Sequence, residues 1–275
     1  MLRVTYASIS DELRRLTALG GFGNQVRVNQ LQQSLIAINR DLSRYWAGVG
    51  DVTQARMYDA AADAAEAMWD SPYLKAAYGD DADYLMRGAR EAARTHLSTA
   101  LERVSGSSYV PLAQSVYDNQ ALASGKIDEI VNAALGRGAS AAELARDVRA
   151  YVNPNVRGGV RYASLRLGRT ELNNAFHAAQ VRSAVESPWV DLVKWNLSGS
   201  HPKPDECNQY AEDDNDGKGA GLWRPSQVPA KPHPNCLCYT TTVDISREEF
   251  FRRFEAGQFD SVVDQMMREG GVTFR

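Results

Sequence analysis

Cysteine is nearly missing from this chain, with three residues among 275, at positions 207, 236 and 238. So small and odd a number excludes a disulfide framework as the device that organises the fold. Histidine is almost as scarce, with four residues. No apolar run approaches the roughly 20 residues that a bilayer-spanning helix needs. A basic excess is also lacking: 31 Lys and Arg stand against 34 Asp and Glu, a net charge of −3. That balance removes the global positive field typical of nucleic-acid-binding proteins and leaves room only for a local patch. The start, MLRVTYASISDELRRL, has neither the apolar core nor the small-residue cleavage site of a signal peptide, so folding in a cytoplasm is expected. Nucleotide and hydrolase signatures are missing too. Ala-Ser-Gly-Lys-Ile at 123–127 lacks the first glycine and the hydroxyl residue of a phosphate-binding loop, and no G-x-S-x-G elbow occurs.

What is present, from about residue 6 to 188, is helix after helix. Ser10 reads as the N-cap of SDELRRLTAL, and Gly20, Gly21 and Gly23 break the pattern after it. Val28, Leu31, Leu35, Ile38, Leu42 and Trp46 recur at spacings of three and four, which predicts one helix over 24–46. The alanine-rich DVTQARMYDAAADAAEAMWD predicts another, interrupted or restarted at Ser71-Pro72. The same style continues from Asp83 to Val104. Shorter helices are expected at 111–123, 126–136 and 140–150, the last with a capping box of Ser140 and Glu143. A long helix from Tyr162 to Glu186 closes the series. Its polar stripe of Arg169, Glu171, Asn174 and His177 is read as a face docked on a loop or on water, rather than a catalytic face.

After Pro188 the pattern changes. VDLVKWNL alternates and predicts a strand, as does the β-branched CLCYTTTV at 236–243. Residues 198–235 between them, rich in Gly, Pro, Asp and Asn, read as a loop too long to be held passively in a compact domain. SREEFFRRFEAG predicts a short terminal helix capped by Ser246 with Glu249. Phe250, Phe251, Phe254 and Phe259 near the end are assigned to the chain's own core in preference to a partner-docking anchor. The fold class expected is mainly α: a helical region at 1–155, then a small α+β domain at 156–275 whose long loop is stapled by a Cys/His cluster.

That cluster is the chemistry the sequence offers. HPKPDEC at 201–207 and KPHPNCLCY at 231–239 contain all three cysteines and two of the four histidines. Zinc binds thiolate and imidazole in sets of four. Cys207, His233 and Cys236 are the first three candidates. For the fourth, Cys238 meets an objection: if a strand has already begun at 236, side chains 236 and 238 line up along one face instead of converging. His201 and Asp205 are the other candidates, both acceptable to zinc. Two other readings stay open, namely buried cysteines beside turn-forming His-Pro pairs, and a disulfide from Cys207 to Cys236 or Cys238. Neighbouring patterns fail. EDDNDGKG at 212–219 begins like a calcium loop, but Trp223 stands where the bidentate glutamate belongs. The His-x-Glu and Pro-Cys-x-x-Cys of zinc deaminases are missing.

Taken together, GRTELNNAFHAAQ, a strand with Trp195, an Asp-x-Cys segment and a terminal His-Pro-x-Cys-x-Cys resemble the C-terminal domain of phage Mu F-like minor head proteins. The residues carrying the resemblance are Arg169, Thr170, Glu171, Trp195, Asp205, Cys207, His233, Pro234, Cys236 and Cys238, and it covers about 160–243. The resemblance implies a structural minor capsid protein of a tailed bacteriophage, active in head morphogenesis. It would bind the portal protein, the major capsid protein or both during assembly in the host cytoplasm and stay in the virion at the capsid interior or portal vertex. It would take no part at a membrane during assembly. Contact with packaged DNA, and ejection with it, extend that role. The helical region would carry the docking faces, and a structural zinc ion would hold the loop. The competing reading is a zinc-dependent hydrolase or nuclease that uses the same Cys/His cluster, with Glu206 or Glu212 as base.

Overall fold

A computed structural model describes the chain except for residues 19–24, 138, 157, 202–203, 215–216, 270 and 272–275, and except for the side chains of 16, 17 and 25–30. The glycines at 20, 21 and 23, the Pro202-Lys203 pair, Asp216 of the acidic turn and the side chain of Val28 therefore lie outside the described residues. The fold is mainly helical with one small antiparallel sheet. In chain order the elements are α1 (Leu2–Ala18), α2 (Gln25–Trp69), α3 (Pro72–Tyr78), α4 (Ala82–Thr95), α5 (Leu97–Ser105), α6 (Leu112–Gly136), α7 (Ala141–Val152), α8 (Gly159–Glu186), β1 (Val190–Asn196), α9 (Glu206–Glu212), β2 (Leu222–Trp223), β3 (Tyr239–Asp244), α10 (Arg247–Glu255) and α11 (Asp260–Glu269). No helix among the described residues is long and apolar enough to cross a membrane.

The chain forms two compact units: Met1–Gln54 with Val110–Arg169, and Ala55–Tyr109 with Thr170–Arg275. This differs from the division at 155/156 expected from the sequence. Both α2 and α8 contribute residues to each unit.

In the first unit the core is built from in-phase apolar stripes. Leu2, Tyr6, Ile9 and Leu13 form the stripe of α1, meeting Leu31, Ile38, Leu42 and Trp46 of α2, Ile127 and Val131 of α6, Leu144 and Val148 of α7, and Val160 and Leu167 of α8. The stripe of α1 starts well before Ser10, so Ser10 is a buried mid-helix residue and not the expected N-cap. Likewise the separate helices expected at 111–123 and 126–136 are one helix, because Ala123, Ile127, Val131 and Ala134 stay in phase through Gly125. The Ser140–Glu143 capping box at the start of α7 forms as expected.

In the second unit Ser71 caps α3, its side chain accepting from the Tyr73 amide, with Pro72 in the first turn where its missing N–H is harmless. The sheet order is β2-β1-β3, and both pairings are antiparallel. β1 is central, with Trp195 opposite Thr240 of β3 and Val193 opposite Trp223 of β2. Trp189, just before β1, lies edge-on to Trp69 at 4.9 Å and to Phe259 at 5.8 Å. Phe250 and Phe259 are fully buried at a ring separation of 5.0 Å, so these two aromatics belong to the chain's own core. α11, not foreseen in the sequence, buries Val263, Met266 and Met267 and packs on α4, whose small Ala89, Ala92 and Ala93 are buried.

Candidate metal centre

The supposed loop at 198–235 carries structure of its own, since α9 and β2 fall inside it. α9 begins at a full capping box: the Asp205 carboxylate accepts from the Cys207 amide at 2.8 Å, and Asn208 Oδ1 accepts from the Asp205 amide at 3.1 Å. That box fixes Cys207 in the first turn with its side chain fully buried. β2 is joined to the end of α9 by Gly221, whose amide donates to the Asp213 carbonyl while its carbonyl accepts from the Trp195 amide. Its φ of 70° and a Cβ position only 2.7 Å from the Ala211 carbonyl oxygen admit no other residue without movement.

The second half of the cluster comes from the turn before β3. Asn235 takes φ 59°, a left-handed conformation that asparagine tolerates better than most residues. β3 starts only at Tyr239, so Cys236 and Cys238 precede the strand. The objection to Cys238 therefore falls: the two cysteines are not aligned on a pleated face, and both side chains turn inward to Cys207. The three sulfurs lie within 4.8 Å of one another, with Cys207 Sγ to Cys236 Sγ at 3.4 Å. All three cysteines are buried and unbridged, packed against Trp195 with Tyr210 and Trp223 alongside.

The other three expected residues surround this triad. An Asp205 oxygen, Cys207 Sγ and a His233 nitrogen form a second set within 4.8 Å, so Cys207 belongs to both. His233 Nε2 is 3.7 Å from Cys207 Sγ, and His201 Nδ1 is 3.7 Å from Cys238 Sγ. Each imidazole is oriented from its far side: His201 Nε2 donates to Asn208 Oδ1 at 2.8 Å, and His233 Nδ1 donates to the Pro234 carbonyl at 3.0 Å. Both inward nitrogens thus present lone pairs, the arrangement of metal-binding histidines. His233 Nε2 also stands 3.1 Å from Asp205 Oδ2. Two lone-pair atoms that close require a cation, either a proton or a metal ion, between or beside them. An ion with sulfur at about 2.3 Å and nitrogen at about 2.0 Å in tetrahedral array sets edges of about 3.5–3.8 Å, which the separations above approach. The cysteine group with His233 can hold a metal ion.

Electrostatics agree with that chemistry. Burial raises the Cys207 thiol far above its ordinary pKa, and Cys236 and Cys238 beside it add to the shift. Burial raises Cys236 as well, opposed by its contact with Cys207 and by the Lys231 charge. Without a metal the raised Cys207 and Cys236 stay neutral thiols at neutral pH, and an ion must displace their protons. Lys231 reaches over the Trp195 ring at 5.0 Å and donates to the Cys238 carbonyl. Burial lowers its pKa, while the three cysteines pull the other way. The Asp205 carboxyl is held below its usual range: burial pushes upward, but the Cys207 amide and the two histidines outweigh it.

The turn is fastened to α8 by a polar stripe at spacings of three and four. Thr170 Oγ1 accepts from the Asn235 amide at 3.1 Å, and Asn173 Nδ2 donates to the Cys236 carbonyl. His177 Nε2 donates to the Pro229 carbonyl at 2.8 Å, and Gln180 donates to the Thr240 carbonyl at 2.9 Å. The stripe expected from the sequence shares only His177 with this one. Arg169 is exposed, Asn174 is half-buried, and Glu171 is buried. His177 is buried against Trp195, which lowers its pKa to about 3, with Lys231 adding to the effect. Sequence reasoning missed Asn173, Asn208 and Lys231. The Asp205-x-x-Asn208 box and the 170-173-177-180 periodicity were the available signals. No protein-family model matches the chain, and neither does any curated protein or solved structure.

Proposed function

We propose that this chain is a structural minor head protein of a tailed bacteriophage, similar to the Mu F-like proteins, and that its Cys/His centre holds a structural zinc ion. One observation carries the reading. The residues that make up the family-like pattern, Asp205, Cys207, His233, Cys236 and Cys238, meet in one cluster whose three cysteines are buried against Trp195, and Thr170 of the same pattern binds their turn. A resemblance spread over some seventy positions thus coincides with one physical site. Three sulfurs with imidazole form a donor set suited to zinc. The complete burial of the three cysteines supports a closed, load-holding site over a hydrolytic one, which keeps a position open to water. In this role the zinc ion clasps the two ends of the excursion between β1 and β3, which the polar stripe of α8 holds in place, and the helical surfaces dock on the portal or the inner capsid.

The test is genetic and physical. In the phage carrying the gene, the chain should co-sediment with proheads and be recovered from purified virions, and its deletion should sharply lower infectious titre. Virions that lack the chain and assemble with normal titre without it would overturn the head-protein reading. Elemental analysis of protein purified without chelator should give about one zinc per chain; a metal-free preparation with three freely titrating thiols would overturn the zinc reading.

A further inference from the structure

The amino-terminal part of α8 carries a charge pattern that the metal centre does not use. Residues 148–169 contain five arginines and no aspartate or glutamate, in a chain whose acids outnumber its bases. At about 100° per residue, Arg161, Leu165, Arg169, Tyr162 and Arg166 fall within an arc of about 140° on one helix face. All five are exposed, Tyr162 at 56% and Leu165 at 46%. The opposite arc is locked inward: Val160 and Leu167 are buried in the core of the first unit, and Ser164 Oγ accepts from the Tyr45 hydroxyl at 2.6 Å. The arginine face is therefore held outward by the packing of its own helix. Beside it, Val156, Gly158, Arg161, Tyr162 and Leu165 line an open hollow of about 590 Å³. Arg161 and Arg169 make no ion pair among the described residues.

We infer that this face binds a strand of nucleic acid, with Arg161, Arg166 and Arg169 on successive phosphates and an unstacked base laid on Tyr162 in the adjoining hollow. Arg161 and Arg169, exposed and without an ion pair among the described residues, leave positive charge on this face that a polyanion would neutralise. Guanidinium suits phosphate because its planar fork donates two parallel hydrogen bonds. Base stacking on an exposed aromatic beside a positive track is the common mode of single-strand binding, and it tolerates any sequence. The aromatic and apolar hollow favours an unpaired strand over a duplex, whose bases are already stacked. The net negative charge of the chain sets the strength: binding is weak, local and strongly dependent on salt.

The test uses the full chain, fluorescence anisotropy, a labelled oligothymidylate of about 30 nucleotides and a duplex of equal length, from 50 to 200 mM salt. Three phosphate contacts give a slope of about −2 in log K against log salt, roughly a 20-fold loss across that range. The double variant R161E/R169E should weaken binding at least tenfold and flatten the slope by about 1.4. Tyr162→Ala should cost the oligothymidylate about tenfold with the slope unchanged. These residues are exposed, so unchanged thermal melts identify the losses as losses of contact. Binding unaffected by R161E/R169E would overturn the inference. So would polyglutamate competing as well as oligothymidylate, which would make the face a dock for an acidic protein. Duplex binding as tight as single-strand binding, with Tyr162→Ala silent, would overturn the base-stacking assignment.

Discussion

Replacing Cys207 with alanine should abolish metal retention and lower the melting temperature of the second unit, and the size of the effect can be worked from the site. Cys207 is the one residue common to both ligand sets, and its side chain is fully buried. Without it, neither set keeps three donors. A structural ion at 1,000 times its dissociation constant contributes about 4 kcal/mol to the folded state. In a domain of 150–250 residues each kcal/mol moves the melt by about 2–4 °C, so loss of the ion shifts it by about 8–16 °C. The lost sulfur also leaves a small void, so the substitution alone cannot separate ligation from packing. A chelator can. Wild type should lose most of its excess stability in chelator and approach the variant, which should not respond. Tryptophan fluorescence is the appropriate signal, because Trp69, Trp189, Trp195 and Trp223 belong to the second unit and only Trp46 to the first. A wild-type melt unmoved by chelator, with the variant lower by the same amount in both conditions, would refute the reasoning and reduce Cys207 to a packing residue.

Two further outcomes follow from groups outside the ligand set. Asn173→Ala removes the donor to the Cys236 carbonyl, and competition with a chromogenic chelator should show zinc affinity falling by about 10- to 100-fold while stoichiometry is retained; an unchanged affinity would leave Asn173 a purely structural contact. His177 has a folded-state pKa lowered to about 3 by burial, against about 6.5 in the unfolded chain. Below pH 6.5 the unfolded chain takes a proton that the folded chain refuses, so stability should fall by about 1.4 kcal/mol per pH unit, about 2 kcal/mol by pH 5. Urea titrations in chelator should show that slope in wild type and a flatter one in His177→Gln; parallel slopes would refute the assignment.

Much of this architecture is legible in the sequence wherever apolar stripes keep phase. The Ser140 and Ser71 starts, the Trp195 strand and the convergence of 201–207 with 231–239 all rest on local chemistry. Misreadings cluster where tertiary contact overrides a local signal. The gap between the expected helices ending at Trp46 and resuming at Asp51 holds Gly48 and Gly50, yet α2 runs through both. A Cβ at Gly48 would fall 2.6 Å from the Met1 side chain, and one at Gly50 3.2 Å from Val116. These glycines mark close approach within the helical core, where packing offsets their poor propensity. The objection to Cys238 fails for a similar reason: β3 begins three residues after the start at 236 that the sequence suggests, and only the left-handed Asn235 reveals that the chain is still turning. α9 is too short to show periodicity, so its capping residues were its only announcement. α11 has a buried face that is intelligible only once α4 is beside it.

The capping box that seats Cys207 and the turn that seats Cys236 and Cys238 lie near the two roots of the excursion between β1 and β3, and Gly217 and Lys218 at its far tip are exposed. Clasped at its base, such a segment is mechanically decoupled from whatever is spliced into its tip, and the entropy of a longer ring grows only slowly with length. The excursion is therefore a natural mounting point for a reporter peptide, one that would be displayed without altering the clasp beneath it.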